Sequence, residues 1–235
     1  MRRKISLLLL TGMLLAGCRA PENTAPETGA EGTTQSLAAT EETLPATEPE
    51  PAEDAFVRVT KYIPEIRQEL PYATEGNFTG QVIYDFPDAY LRWGTVKKLR
   101  AVSEELAQMG LGLKIWDGFR PVSAQFRLWQ VCPNPTYVAN PEKGFSSHSR
   151  GNTVDLTLVD EAGRELEMPT AFDDFTAKAD RDYSDCSETA AENARLLERM
   201  MEKHGFSGYF GEWWHFTDTQ DYPVDKVFEP PVSLG

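Results

Sequence analysis

Residues 55–235 of this 235-residue chain read as one α+β domain, a small mixed or antiparallel sheet flanked by helices, on three observations. Two long stretches carry apolar residues at helical spacing, two shorter ones alternate at strand spacing, and no regular strand–helix–strand rhythm connects them. Apolar residues make up 40% of the chain, with five Trp, twelve Phe and eight Tyr, which is enough to build a single core.

The first segments lie outside that domain. Arg2, Arg3 and Lys4 precede an apolar run, Ile5 to Ala16, too short for a permanent membrane span, as in an export signal. The run ends in Leu15-Ala16-Gly17-Cys18, similar to the bacterial lipobox, in which the cysteine is lipidated and becomes the first residue after cleavage. Residues 1–18 are therefore expected to be a lipoprotein signal peptide, with Cys18 lipidated and the folded domain exported and anchored by lipid to the bacterial cell membrane, outside the cytoplasm. Residues 19–54 hold nine Asp or Glu and five Pro but no aromatic residue, too little apolar area to offset ordering entropy. They are expected to form a disordered acidic tether.

Within the domain, Gly94 to Met109 places Val96, Leu99, Val102, Leu106 and Met109 three or four residues apart before Gly110, which predicts an amphipathic helix. Leu111 to Asp117 alternates as a strand and delivers the loop Asp117-Gly118-Phe119-Arg120-Pro121, after which a helix runs to Val131. Asn152 to Asp160 alternates Val154, Leu156 and Leu158 with Thr153, Asp155 and Thr157, the period of a half-buried strand with Asp155 opposite the apolar row. Glu188 to His204 forms the second long helix, stopped by Gly205, with His204 as a capping or surface residue.

Charge and composition exclude some functions. With 23 basic against 37 acidic residues the chain carries a net charge of -14, so nucleic acid is not an expected partner. Three cysteines without CxxC spacing do not make a structural zinc knuckle. Cys132 and Cys186 would be either a disulfide in an exported domain or two buried thiols.

Unusual chemistry concentrates in Ser146 to Asp155 and in Glu212-Trp213-Trp214-His215. A catalytic zinc site uses about three ligands drawn from His, Asp and Glu and leaves a position for water. Among three histidines in all, His148 and His215 join Asp155 to supply that number, with Glu212 as the base that would take a proton from the water. Taken singly, each residue is more commonplace as a core histidine, a capping carboxylate or a surface charge. The set imposes conditions. Glu212 and His215 share a face only if the strand bends, and Gly151 must turn the chain between His148 and Asp155.

The segments SSHSRGNTVDLTL and EWWH, with YATEGNFTG at Tyr72 to Gly80, DGFRP at Asp117 to Pro121 and the pair Phe172-Asp173, resemble the D-alanyl-D-alanine dipeptidases of the VanX type. The resemblance covers about Leu70 to Phe216 and implies the zinc D,D-peptidase architecture shared with the hedgehog fold. It implies one zinc ion per chain held by His148, Asp155 and His215, Glu212 as catalytic base and Arg120 as stabiliser of the oxyanion. Asp173 would bind the substrate ammonium, with Ser147 and Tyr72 lining the site around D-alanyl-D-alanine or a related D-amino dipeptide. Two departures stand out: Phe119 replaces the usual tyrosine, and the stretch from Arg120 to His148 is shorter than in the resistance enzymes, which would open the pocket. The implied activity is hydrolysis of the dipeptide to two D-alanines in envelope or peptidoglycan turnover. The alternatives are a D,D-carboxypeptidase trimming stem peptides and a non-catalytic lipoprotein that binds wall peptides.

Overall fold

The structure, a computed structural model, describes residues 49–232; the leader, Cys18 and the tether as far as residue 48 lie outside the described residues. In chain order the elements are β1 (Phe56–Arg58), α1 (Val59–Tyr62), β2 (Arg67–Gln68), β3 (Tyr90–Arg92), α2 (Trp93–Ala107), β4 (Leu111–Asp117), α3 (Val122–Val131), β5 (Thr153–Asp160), α4 (Glu188–Lys203), β6 (Phe206–Tyr209) and β7 (Glu212–Asp218). The main sheet has the order β2-β4-β5-β7-β6, with β2 parallel to β4 and the other pairs antiparallel, while β1 and β3 form a separate antiparallel pair. The α+β class with a mixed sheet is thus what the sequence predicts.

Helix α2 forms because Val96, Leu99, Val102 and Leu106 share one stripe, and all four are wholly buried. Met109, assigned to the same stripe, is exposed instead, because the helix ends at Ala107 and Gly110, at φ +71°, turns the chain away. No side chain caps the helix start. The N–H groups of Trp93 and Gly94 donate instead to the carbonyls of Ala55 (2.8 Å) and Glu53 (3.0 Å). Trp93 Nε1 donates to Glu50 Oε1 at 3.1 Å, and Arg92 Nη1 to the Asp54 carbonyl at 2.6 Å. Residues 50–54, which composition alone places in the tether, are therefore built onto the domain by the helix start they satisfy.

Strand β5 lies between β4 and β7. Its register places Leu156 opposite Ile115, Leu158 opposite Leu113 and Val154 opposite Phe216, and all six side chains are buried to 1% exposure or less. Helices α2 and α4 contact each other and the sheet. Burying each such side chain contributes roughly 1.5–3 kcal/mol. The opposite face, with Thr153, Asp155 and Thr157, is buried as well, so β5 is not the half-buried strand that its alternation predicts. Segments around the site cover that polar face.

Helix α4 starts where Ser187 Oγ accepts from the N–H of Ala190 at 3.0 Å and stops before Gly205, at φ +87°. His204 is its C-terminal cap and also reaches across to Glu105 of α2, with Nε2 at 2.8 Å from Oε2. Cys132 and Cys186 are free, partly buried thiols rather than a disulfide: Cys132 ends α3, whereas Cys186 directs its sulfur at the Tyr183 carbonyl before α4.

Candidate active site

His148 stands in a 3₁₀ turn, Ser147–Arg150, between the loop after α3 and the start of β5. Ser146 Oγ caps the turn by accepting from the His148 N–H at 3.3 Å, and Gly151 closes it at φ +77°. A Cβ at Gly151 would lie 2.3 Å from Phe56 Cε1, so both the backbone angle and the space demand glycine there. The turn that the sequence requires between His148 and Asp155 is present. His148 Nδ1 donates to the Gly118 carbonyl at 2.8 Å, which leaves Nε2 as the free ring nitrogen, 3.3 Å from Asp155 Oδ2.

The required bend in Glu212-Trp213-Trp214-His215 is present too. The β6–β7 ladder is regular from Phe206–Asp218 to Gly208–Phe216, then breaks and resumes at Tyr209–Glu212, which lets residues three apart on β7 face the same way. His215 pairs in register with Asp155 on β5. Its Nδ1 lies 3.0 Å from Asp155 Oδ1 and 3.5 Å from Glu212 Oε2. Nε2 on the far side of the ring is 3.3 Å from Ser147 Oγ, so Ser147 both lines the cavity and holds the ring of His215. Trp213 and Trp214 are buried; Trp213 Nε1 donates to Thr170 Oγ1 at 2.9 Å, and Trp214 forms a wall of the cavity.

Arg120, 8% exposed, lines the same cavity. Its Nε donates to Tyr84 Oη (3.1 Å), Nη1 to Gln125 Oε1 (3.0 Å) and Nη2 to Asp117 Oδ2 (2.6 Å). Those three bonds leave two of the five N–H groups of the fork for a ligand. Tyr84 and Gln125 carry no local signature in the sequence, whereas Asp117 opens the same DGFRP loop as Arg120. Phe119 is buried against Phe56 and Phe228, with ring centroids 4.4 Å and 5.5 Å away, so a hydroxyl is missing there from an aromatic cluster.

Tyr72 Oη donates to Asp173 Oδ2 at 2.9 Å, and Asp173 holds a left-handed backbone at φ +58°. These side chains share a cavity of about 320 Å³ with Arg120, Ser147, His148, Asp155, Glu212 and His215. The shortened stretch before His148 does not leave the cavity bare, because Pro135 to Ala139 and Phe145 line it. Burial, followed by the Asp155 carboxylate, pushes the Asp173 carboxyl up to about 8. The same two causes raise Glu212. Burial opposes ionisation of Asp155, yet His148 and His215 hold it well below the usual carboxylate range.

The donor set fits a zinc ion. One ligand atom from each of His148, Asp155 and His215 lies within 4.8 Å of the others. Asp155 Oδ1 is fully buried with no well-aligned hydrogen bond, its near neighbour being His215 Nδ1 at 3.0 Å, a pairing that coordination of a shared ion would satisfy. Two imidazoles and a carboxylate, with Glu212 beside them, are the ligand chemistry of a catalytic rather than a structural zinc site.

Comparison with known proteins shows what the chain is similar to. The profile of the M15 peptidases, described as D-ala-D-ala dipeptidase, matches residues 52–233. The chain is 40% identical over 172 residues to the D-alanyl-D-alanine dipeptidase of Escherichia coli K12, covering 72% of this chain and 88% of that one. It is 32% identical over 201 residues to the D-alanyl-D-alanine dipeptidase of Enterococcus faecalis V583, covering 77% of this chain and all of that one. The D-alanyl-D-alanine dipeptidase of Streptomyces coelicolor is 33% identical over 202 residues, covering 76% of this chain and 98% of its own.

Proposed function

The chain belongs to the D-ala-D-ala dipeptidase family of M15 peptidases, and from that premise we propose that it hydrolyses D-alanyl-D-alanine to two D-alanines at a zinc centre. The observation that carries the proposal is the convergence of His148, Asp155 and His215 beside Glu212 in one cavity that Arg120 and Asp173 also line. A non-catalytic wall-peptide lipoprotein is not favoured, since ligands, base and arginine are all in place.

His148 Nε2, the Asp155 carboxylate and His215 Nδ1 would hold the ion. When bound, zinc supplies Lewis acidity, lowering the pKa of a water to about 7 and polarising the scissile carbonyl. Glu212 takes the proton as the water attacks and gives it to the amine of the departing D-alanine. The two unused N–H groups of Arg120 donate to the carbonyl oxygen as negative charge develops there; the bonds to Tyr84, Gln125 and Asp117 fix their direction in advance. Asp173, ionised when substrate arrives, accepts the ammonium of the dipeptide. A longer peptide would present a neutral amide there, so Asp173 would stay protonated and the ammonium–carboxylate pair would be forfeited, which is how the site would select for length.

The test is zinc content together with D-alanine release from D-alanyl-D-alanine and from a stem pentapeptide, beside Glu212→Ala. About one zinc per chain, cleavage of the dipeptide alone and a metallated but inactive control are expected. Equal or faster cleavage of the pentapeptide would make the protein a D,D-carboxypeptidase.

For location, the leader that ends in Cys18 supports a lipid-anchored enzyme outside the cytoplasm, working in wall turnover or D-alanine salvage. Destroying free dipeptide before it enters wall precursor would require the cytoplasm instead. Cys18→Ala should move the protein from the membrane to the soluble fraction, and an unchanged distribution would refute the anchor.

A further inference from the structure

The break in the β6–β7 ladder creates a problem that hydrogen bonding must solve. Between the Gly208–Phe216 and Tyr209–Glu212 pairings the rungs are missing, and the carbonyls of Tyr209 and His215 border the gap. Both accept hydrogen bonds from one side chain of another segment: Arg181 Nε donates to Tyr209 O at 2.9 Å and Nη2 to His215 O at 2.9 Å. The same guanidinium pairs through Nη1 with Glu198 Oε1 of α4 at 3.3 Å and lies 4.4 Å from the centroid of the Phe216 ring. Its own N–H donates to the Phe210 carbonyl at 3.0 Å. The side chain is only 6% exposed. Gly208 makes room for it, since a Cβ there would stand 2.3 Å from Arg181 Cζ.

We infer that Arg181 is a positioning residue for the reaction: its planar fork replaces the missing rungs and fixes the bulge that brings Glu212 and His215 to one face. The inference rests on the zinc-peptidase reading for what the bulge serves, and on the hydrogen bonds alone for how it is held. An ammonium cannot substitute. Lysine offers donors from a single point, whereas two carbonyls on two strands, a carboxylate and a ring face need a flat fork. Partners behind a metal ligand typically change metal affinity or activity by about 10–100-fold when removed.

The experiment uses the zinc-loaded enzyme with Arg181→Lys and Gly208→Ala. Val102→Ala, in the core of α2, supplies a control that loses stability without touching the bulge. Zinc affinity is measured by competition with a chromophoric chelator, and kcat and KM for D-alanyl-D-alanine well below each melting temperature. Arg181→Lys should lower zinc affinity by roughly tenfold and kcat by about 10–100-fold, with KM changed by less than about threefold. Gly208→Ala should show the same pattern, because its methyl group displaces the guanidinium, and it keeps the test open if the lysine variant does not fold. Placed on Arg181→Ala, Gly208→Ala should add less than about a threefold further loss, since the group it displaces is already gone. Val102→Ala should lose stability only. Zinc affinity and kcat within about twofold of the wild type in Arg181→Lys, or full additivity of the two changes, would overturn the inference. If the wild type binds zinc but does not cleave the dipeptide, the functional reading fails, while zinc affinity still judges Arg181.

Discussion

On one face of β5, Val154, Leu156 and Leu158 lie in the apolar core; on the other, Asp155 sits between the rings of His148 and His215, with Asp173 and Glu212 around the same cavity. Both faces are buried, but burial has opposite signs on them. Carbon removed from water stabilises the fold, whereas carboxylates removed from water cost free energy that must be offset, by His148 and His215 for Asp155 and by a ligand for Asp173. Asp155 Oδ1 has no well-aligned hydrogen bond, Asp173 combines a left-handed backbone with a raised pKa, and Glu212 is raised by burial. One strand therefore teaches that stability and reactivity are assigned by residue parity, and truncating an apolar side chain on one face should leave the chemistry of the other intact.

The largest effect expected is from metal removal: a chelator should abolish dipeptide cleavage and zinc restore it, while circular dichroism of the metal-free protein keeps its helix and strand signal because the apolar face needs no ion. Loss of secondary structure on chelation would break the comparison. Glu212→Ala should reduce kcat by about 10²–10⁴-fold with zinc still bound, measured by turnover and metal content. Leu156→Ala, on the other face, should cost about 2–5 kcal/mol in denaturant unfolding and leave kcat per folded molecule unchanged.

Asp173→Asn sharpens the contrast, since one change should weaken function and strengthen the fold. KM for the dipeptide should rise by about 10–100-fold with loss of the charged partner. The Asp173 carboxyl titrates near 8 in the folded chain, against about 3.9 when unfolded. Its stabilising contribution is complete below the unfolded value and lost as pH rises through the folded one. The melting temperature of the asparagine variant should therefore match the wild type near pH 4 and exceed it increasingly towards pH 8. A constant difference across that range would refute the assignment.

Much of the site is legible in the sequence because its chemistry is carried by short segments. His148 and Asp155 flank one turn, Glu212 and His215 lie within four residues, and Arg120 ends a recognisable loop. The conditions on Gly151 and on the bend of β7 follow from residue spacing alone, but the device that meets the second, Arg181 from a loop before α4, is local to nothing on β7. The same holds for Tyr84 and Gln125 behind Arg120, which topology alone brings there. In the fold, Met109 and the buried polar face of β5 escaped periodicity, since a spacing rule neither locates the end of a helix nor shows what covers the second face of a sheet.

The left-handed backbone of Asp173 also bears on how such an enzyme can change over evolutionary time. Asparagine and glycine occupy that conformation readily, while glutamate and β-branched residues do not. Drift at this position thus has few open doors, Asp173→Asn and Asp173→Gly, and both remove the charge proposed to hold the ammonium of the dipeptide. On that proposal, the neighbouring sequences in mutational space would be enzymes of broader diet, rather than dipeptidases of a different selectivity.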